Sequence, residues 1–368
     1  MKKLGVDKPF LFSVIILMVA GFFIFSSASL GLLARNSGQY SSVSFSQTVL
    51  GLFLGTIALV IASKINFKHW KTYAFYILLI AIVLNILVLI PNIGFEHGGA
   101  RRWFVFWGIS LQPSEILKLG MIIYLSAWAS SVKGKIETFK YGFLPLIVLI
   151  LISSVLLLKQ PDTDTLLLII FSCLAIFIVA GGRWKYLFII GLVGILGIAV
   201  LAYSRPYVMT RINTFFHPDS NAQGSSYQIQ QSLIAIGSGG MIGRGFGQSI
   251  QKFNFLPEPI GDSIFAVQAE EFGFVGATLL ILLFVFFAIR GLKIAANVPD
   301  EFGRLLVVGI VIMITTQAFV NIGAMLGVLP LSGITLPFVS HGGTSLFITL
   351  LEVGIILSIS KTKSQKRT

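Results

Sequence analysis

The segment Leu256-Pro257-Glu258-Pro259-Ile260-Gly261-Asp262 sets two carboxylates at the mouth of the apolar run Ile264-Phe265-Ala266-Val267. Two prolines fix the backbone around Glu258. Asp262 at such a boundary has two compatible readings. It is an N-cap for the helix that follows, a role Asp fills well, or a partly desolvated carboxylate whose raised pKa suits a general base. Other charges recur at similar boundaries. Gly99-Ala100-Arg101-Arg102-Trp103 pairs two guanidinium forks, which bind either lipid headgroups or a substrate phosphate. Gln112-Pro113-Ser114-Glu115-Ile116-Leu117-Lys118 opens a helix with an acid and a base at i, i+3, either a structural ion pair or the wall of a polar cavity. Lys159-Gln160-Pro161-Asp162-Thr163-Asp164-Thr165 reads as a turn with Asp162 or Thr163 as a cap. Residues 330–345 are rich in Gly and Pro around Ser340 and His341, as in a loop packed at membrane depth. The four histidines are scattered and form no metal-ligand spacing.

The elements that must position these residues follow from composition. The chain has 368 residues, 55% of them hydrophobic and only 11% charged, with a mean hydropathy of +0.91. A soluble domain carries about 25% charged residues, so a water-facing surface is excluded. Ten apolar runs, at about 10–33, 45–63, 72–90, 113–131, 142–158, 163–181, 185–203, 263–289, 305–326 and 341–360, predict an all-α, polytopic membrane protein with ten transmembrane helices. The basic start of the chain mimics a signal peptide, but its apolar run is long enough to span and reads as an uncleaved first helix. The lone Cys173 offers no disulfide or Cys-based metal site within one chain.

With the first residues inside, 18 of the 27 Lys and Arg residues fall on that side, among them Lys2, Lys3, Lys64, Lys133, Arg290 and Lys363. This bias predicts both termini in the cytoplasm. It also accounts for the net charge of +13 without nucleic acid as a partner. Carboxylates instead gather in the helices and outer loops, pointing to polar chemistry that opens outward. The connection from Ser204 to Asp262 is far longer than the rest and lies outside. Within it, Ile229, Leu233 and Ile236 recur beside Gln228, Gln230 and Gln231, as in a short helix lying on the interface. The glycines that follow do not make a phosphate-binding loop, since no strand precedes them and no GK[ST] follows.

Read together, GARRW, QPSEILK, QPD, SSYQIQQSLIAIGSGG, GRGFGQSIQKFNFLPEP, DSIFAVQAEEFG and NIGAMLGVLPLSGITLPFVSHGGTSL resemble the SEDS family (shape, elongation, division and sporulation). The resemblance runs from FSSAS in the first helix to the last span and treats residues 1–368 as a single integral membrane domain. GQSIQK and GITLPF lean toward the FtsW-like division branch over the RodA-like elongation branch.

The resemblance implies a peptidoglycan glycosyltransferase that polymerises lipid II at the outer face of the cytoplasmic membrane. It implies a class B penicillin-binding protein as partner. Position by position, it implies Asp262 as the catalytic residue and Arg101, Glu115, Lys118, Asp162, Glu258 and Ser340 as substrate-binding. Lys252, with Arg244, adds a cation for the leaving pyrophosphate. A divalent cation, Mg or Mn, could share that task through oxygen ligands such as Glu258 and Asp262. The chain departs from the family pattern at Ile260-Gly261, at Asp164 and at His341. The rival expectation is a flippase for the lipid-linked precursor, which needs the same charged cavity but must open inward as well.

Overall fold

The computed structural model describes residues 5–97, 99–106, 109–132, 134–204, 206–217 and 225–362. Lys2, Lys3, Lys133, Lys363, Lys366 and Arg367, counted above on the inner side, lie outside these residues. Apart from a short helix at Lys68–Thr72, the helices among the described residues are α1 Lys8–Arg35, α2 Ser37–Lys64, α3 Ala74–Leu87, α4 Pro113–Ser131, α5 Phe139–Lys159, α6 Thr163–Val179, α7 Trp184–Ser204, α8 Pro206–Phe216, α9 Ser225–Ser238, α10 Ile264–Asn297, α11 Glu301–Met325 and α12 Gly343–Ser360. Seven of them, α1, α2, α5, α7, α10, α11 and α12, are long and apolar enough to cross a membrane. The protein is a multi-pass membrane protein. Each apolar run of the sequence lies on one helix, although α3 and α6, at 14 and 17 residues, are shorter than the roughly 20 that a straight span needs.

The core is built around α11 and α12, the two most buried of the long helices. α11 packs on α4, α6 and α10, and α12 lies along α2. Close approach there depends on small residues, as is usual between helices in lipid. At Gly354 of α12 an added Cβ would fall 2.5 Å from the Leu59 carbonyl of α2. At the other extreme, α7 is exposed along almost its whole length and packs mainly on α8.

Three features depart from the expectation. The connection between the first two spans is almost wholly helical: only Asn36 stands between α1 and α2, its side chain accepting from the amide of Gln39. The connection from α3 to α4 holds a small antiparallel sheet, β1 Phe95–His97, β2 Ala100–Phe106 and β3 Ile109–Leu111. Along β2, Ala100 and Phe104 are buried while Val105 is exposed, so the GARRW arginines ride on alternating faces of a strand. Among its described residues, the connection of residues 204–262 contains two helices, the unforeseen α8 as well as α9. Ile229 of α9 is buried where that helix packs on α10 and α11.

The decisive local feature is a break in α10. Its 34 residues would reach about 50 Å as a continuous rod, and Gly273, at φ 64° and ψ −165°, interrupts it. This backbone conformation belongs essentially to glycine. The groups freed by the break bond to the glycine-rich loop before α10. The amides of Arg244 and Gly245 donate to the carbonyls of Glu270 and Glu271, and the amides of Phe274 and Val275 donate to the carbonyls of Gly240 and Met241. A Cβ on Gly273 would lie 2.3 Å from the Gly243 nitrogen. Gly273→Ala is therefore expected to destabilise the protein by about 3 kcal/mol or more, read as a lowered melting temperature in detergent. Gly237→Ala, which points into open space, should melt like the parent.

Candidate active site

Asp262 closes a tight turn that ends where α10 begins. The turn is held by the Glu258 carbonyl, which accepts from the amides of Gly261 and Ser263, with Glu258 itself at φ 45°. Asp262 is not the N-cap of α10. That position is Ser263, and no side chain caps it. The carboxylate of Asp262 instead turns toward α9, where Gln228 Nε2 donates to its Oδ1 at 3.1 Å and to Ser263 Oγ at 2.9 Å. Asp262 is half-buried. Loss of hydration pushes its pKa up, the Gln228 hydrogen bond opposes that rise, and the Glu258 charge adds to it; the result is about 7. A carboxylate balanced at that value, still reachable from outside, can take a proton from a substrate hydroxyl at neutral pH.

The turn rests on the loop before α12. Ser340 Oγ donates to the Gly261 carbonyl at 2.7 Å, and the His341 amide donates to the Ile260 carbonyl at 2.7 Å. Asn321 of α11 donates to the backbone carbonyls of Asp262 and Ile334 at 2.8 and 2.7 Å. Ser340 thus buttresses the Asp262 turn through its backbone, its hydroxyl taken up by Gly261 and by the Leu336 amide. The His341 ring stacks on Phe25, and burial lowers its pKa to about 4, so it is neutral at physiological pH. Residues 260 to 262 and 340 to 341, distant in sequence, therefore form one unit.

The remaining sequence candidates sort by what their charges touch. Arg101 is partly exposed and pairs with Glu96 at 2.9 Å. Its neighbour Arg102 does not face an anion: it donates to the backbone carbonyls of Gln160 and Pro161 and ties β2 to the end of α5. Asp162 is buried as the N-cap of α6, accepting from the Thr165 amide and from Ser114 Oγ. Glu115 and Lys118 form a buried ion pair at 2.9 Å. Lys118 also donates to Gln317 Oε1 at 2.8 Å, and Gln317 in turn donates to the Thr335 carbonyl. Glu352 of α12, equally buried, interacts electrostatically with both members of the pair. Asp164, one of the departures, pairs with Arg211 of α8 at 2.8 Å.

Lys252 requires a correction. It was expected to meet a pyrophosphate, yet it is fully buried, 2.7 Å from Glu271 and bonded also to Ser27 Oγ and the Gly247 carbonyl. An ammonium with three internal partners and no solvent contact is unavailable to substrate in this structure. The pattern missed in the sequence is its partner set. Glu270 accepts from Ser249 Oγ and from the amides of Ile250 and Gln251, and Glu271 from Ser27 Oγ, the Ser249 amide and Lys252. Gln228 and Asn321 were also not singled out, though the spacing of α9 already put Gln228 on its polar side. Among the described residues no group of three or more His, Cys, Asp or Glu side chains converges on a metal position. Glu258 and Asp262 stand in one turn, and Mg is commonly held by one or two carboxylates together with water and substrate phosphates, so these two residues would be the protein's share of such a site.

Residues 8–365 match the family model of the cell cycle proteins FtsW, RodA and SpoVE. The chain is 40% identical over 308 residues to stage V sporulation protein E of Bacillus subtilis, covering 84% of each. It is 39% identical over 348 residues to a probable peptidoglycan glycosyltransferase FtsW of Coxiella burnetii, covering 94% of this chain and 93% of that one. A chain of a peptidoglycan synthase complex that coordinates polymerization and crosslinking superposes with a TM-score of 0.79 at 27% identity, over 97% of this chain and 98% of that one. The rod shape determining protein RodA of Thermus thermophilus superposes with a TM-score of 0.71 at 28% identity, over 99% of both chains.

Lys118 is the cation between two buried acids, which gives a direct test of the cluster. Lys118→Met should destabilise the protein by about 3–5 kcal/mol, because a buried carboxylate loses its partner. Adding Glu352→Gln to that variant should restore part of the loss in detergent melting experiments, since one fewer carboxylate is left unpaired.

Proposed function

The chain belongs to the FtsW, RodA and SpoVE family of cell cycle proteins, and from that premise we propose that it is a peptidoglycan glycosyltransferase. It polymerises lipid II into glycan strands at the outer face of the cytoplasmic membrane, in the service of cell division. A class B penicillin-binding protein cross-links the product in the same assembly. The observation that carries the chemical assignment is the carboxylate of Asp262. It does not cap α10, it is half-buried at the end where that helix begins, and its pKa is raised to about 7.

In the reaction, Asp262 accepts the proton of the attacking sugar hydroxyl on the acceptor lipid II. The hydroxyl oxygen forms the new glycosidic bond to the anomeric carbon of the donor, whose bond to polyprenyl pyrophosphate breaks. Proton transfer to a positioned carboxylate contributes about 10²–10⁴ in rate. The charge that develops on the pyrophosphate needs cations. Arg101 has an accessible guanidinium for this, whereas Lys118 and Lys252 hold internal pairs. Glu115, Lys118, Asp162 and Ser340 then serve the reaction by holding the walls and the catalytic turn in place.

Two measurements test this reading. Purified protein with its partner, given labelled lipid II, should make glycan chains on a gel, at a rate that rises with pH through about 7 as Asp262 loses its proton. Asp262→Asn retains an acceptor for Gln228 but not the base, so it should fold normally and make almost no glycan; near-normal polymerisation would shift the role to Glu258. For topology, the buried Cys173 is replaced and single cysteines are introduced by Ser220→Cys and Ser364→Cys. An impermeant reagent on intact cells should label the first and not the second, and the reverse pattern would overturn the orientation.

A further inference from the structure

We propose that Gln228 is a positioning residue for this reaction: its amide fixes one oxygen of Asp262 so that the other faces the acceptor hydroxyl. The proposal rests on the reading of Asp262 as the base. Gln228 comes from α9, a different element, and reaches both Asp262 Oδ1 and Ser263 Oγ with the same nitrogen. Asp262 Oδ2 takes no side-chain hydrogen bond among the described residues. An ionised carboxylate only accepts, and a glutamine NH₂ only donates, so the pair has one sense. When Oδ2 takes the proton, Oδ1 remains a carbonyl oxygen and keeps its bond to Gln228. The carboxyl plane is therefore held through the transfer.

The helix that carries Gln228 is itself seated. Ile229, one residue on, is buried, as are Ser226 and Ser232. Ser232 Oγ donates to the Gln228 carbonyl and lies 3.5 Å from Met325 Sδ of α11. The hydrogen bond is thus set by the packing of α9 on α10 and α11 and not by a free side chain. Its electrical surroundings are simple. Glu258, from the same turn, is the titratable group whose charge reaches Asp262. The loop before α12 brings His341, which is neutral. α9 and α11 bring the amides Gln228 and Asn321. A donor aimed at the carboxylate favours its charged form.

The test is the pH profile of lipid II polymerisation by the full-length protein with its partner, comparing the parent with Gln228→Met and Gln228→Glu. Met keeps the length and removes the donor; Glu keeps the shape and adds a negative charge. The acid limb of kcat should move alkaline by about one pH unit in Gln228→Met, the scale of one hydrogen bond to a charged group, and at least as far in Gln228→Glu. Activity lost near neutral pH should return at alkaline pH, with the KM for lipid II unchanged. A uniform loss at every pH with no shift of the limb would reduce Gln228 to a structural contact and overturn the proposal. An unmoved limb in both variants would do the same while Asp262→Asn remains inactive. An active Asp262→Asn would instead remove the base reading beneath it, and the proposal with it.

Discussion

A membrane helix that breaks must find partners for the backbone groups it frees, because hydrocarbon supplies none. In this protein the break at Gly273 of α10 is met by the loop of residues 240–245, which supplies two donors and two acceptors across the gap. That pairing joins the long outer connection to the helix bundle. It separates the first turns of α10, which follow directly on Asp262, from the rest of the helix. The side chains of Glu270 and Glu271 extend the same junction, gathering residues 249–252 and Ser27 of α1 around two buried carboxylates. Loop, α1 and α10 are therefore one structure next to the turn that carries Asp262.

Charge placement follows the same constraint. Burying an ion costs several kcal/mol, and a good partner roughly offsets it, so buried pairs specify geometry more than they add stability. Lys252 with Glu271 fixes the loop, Lys118 with Glu115 and Gln317 leads to the loop before α12, and Asp162 caps α6 against Ser114. These groups resemble site residues in sequence because a charge in an apolar run is unusual under either role. Asp262 differs in that, among the described residues, no cation neutralises it and its one side-chain partner from another element is neutral, so it keeps a titratable proton near neutral pH. This absence of a counter-charge separates the candidate base from the buried ion pairs.

What the sequence determined by itself was whatever depends on local composition and order. Apolar runs of span length place the helices, because each helix satisfies its own backbone and needs only apolar side chains outward. The motif order carried the family, and the position of Asp262 between a proline-framed turn and an apolar run marked the candidate base. Tertiary structure decided the partners. That GARRW lies on a strand, that Lys252 faces inward, that Asp262 is not a cap and that Gln228 holds it all depend on contacts between residues tens to hundreds of positions apart. Hydrophobic periodicity reports which side of an element is apolar, but not which element lies against it. A charge reads the same in sequence whether it meets substrate or a buried counter-ion, and only the packed bundle decides between them, because that is where each charge is either desolvated against a partner or left open to accept a proton.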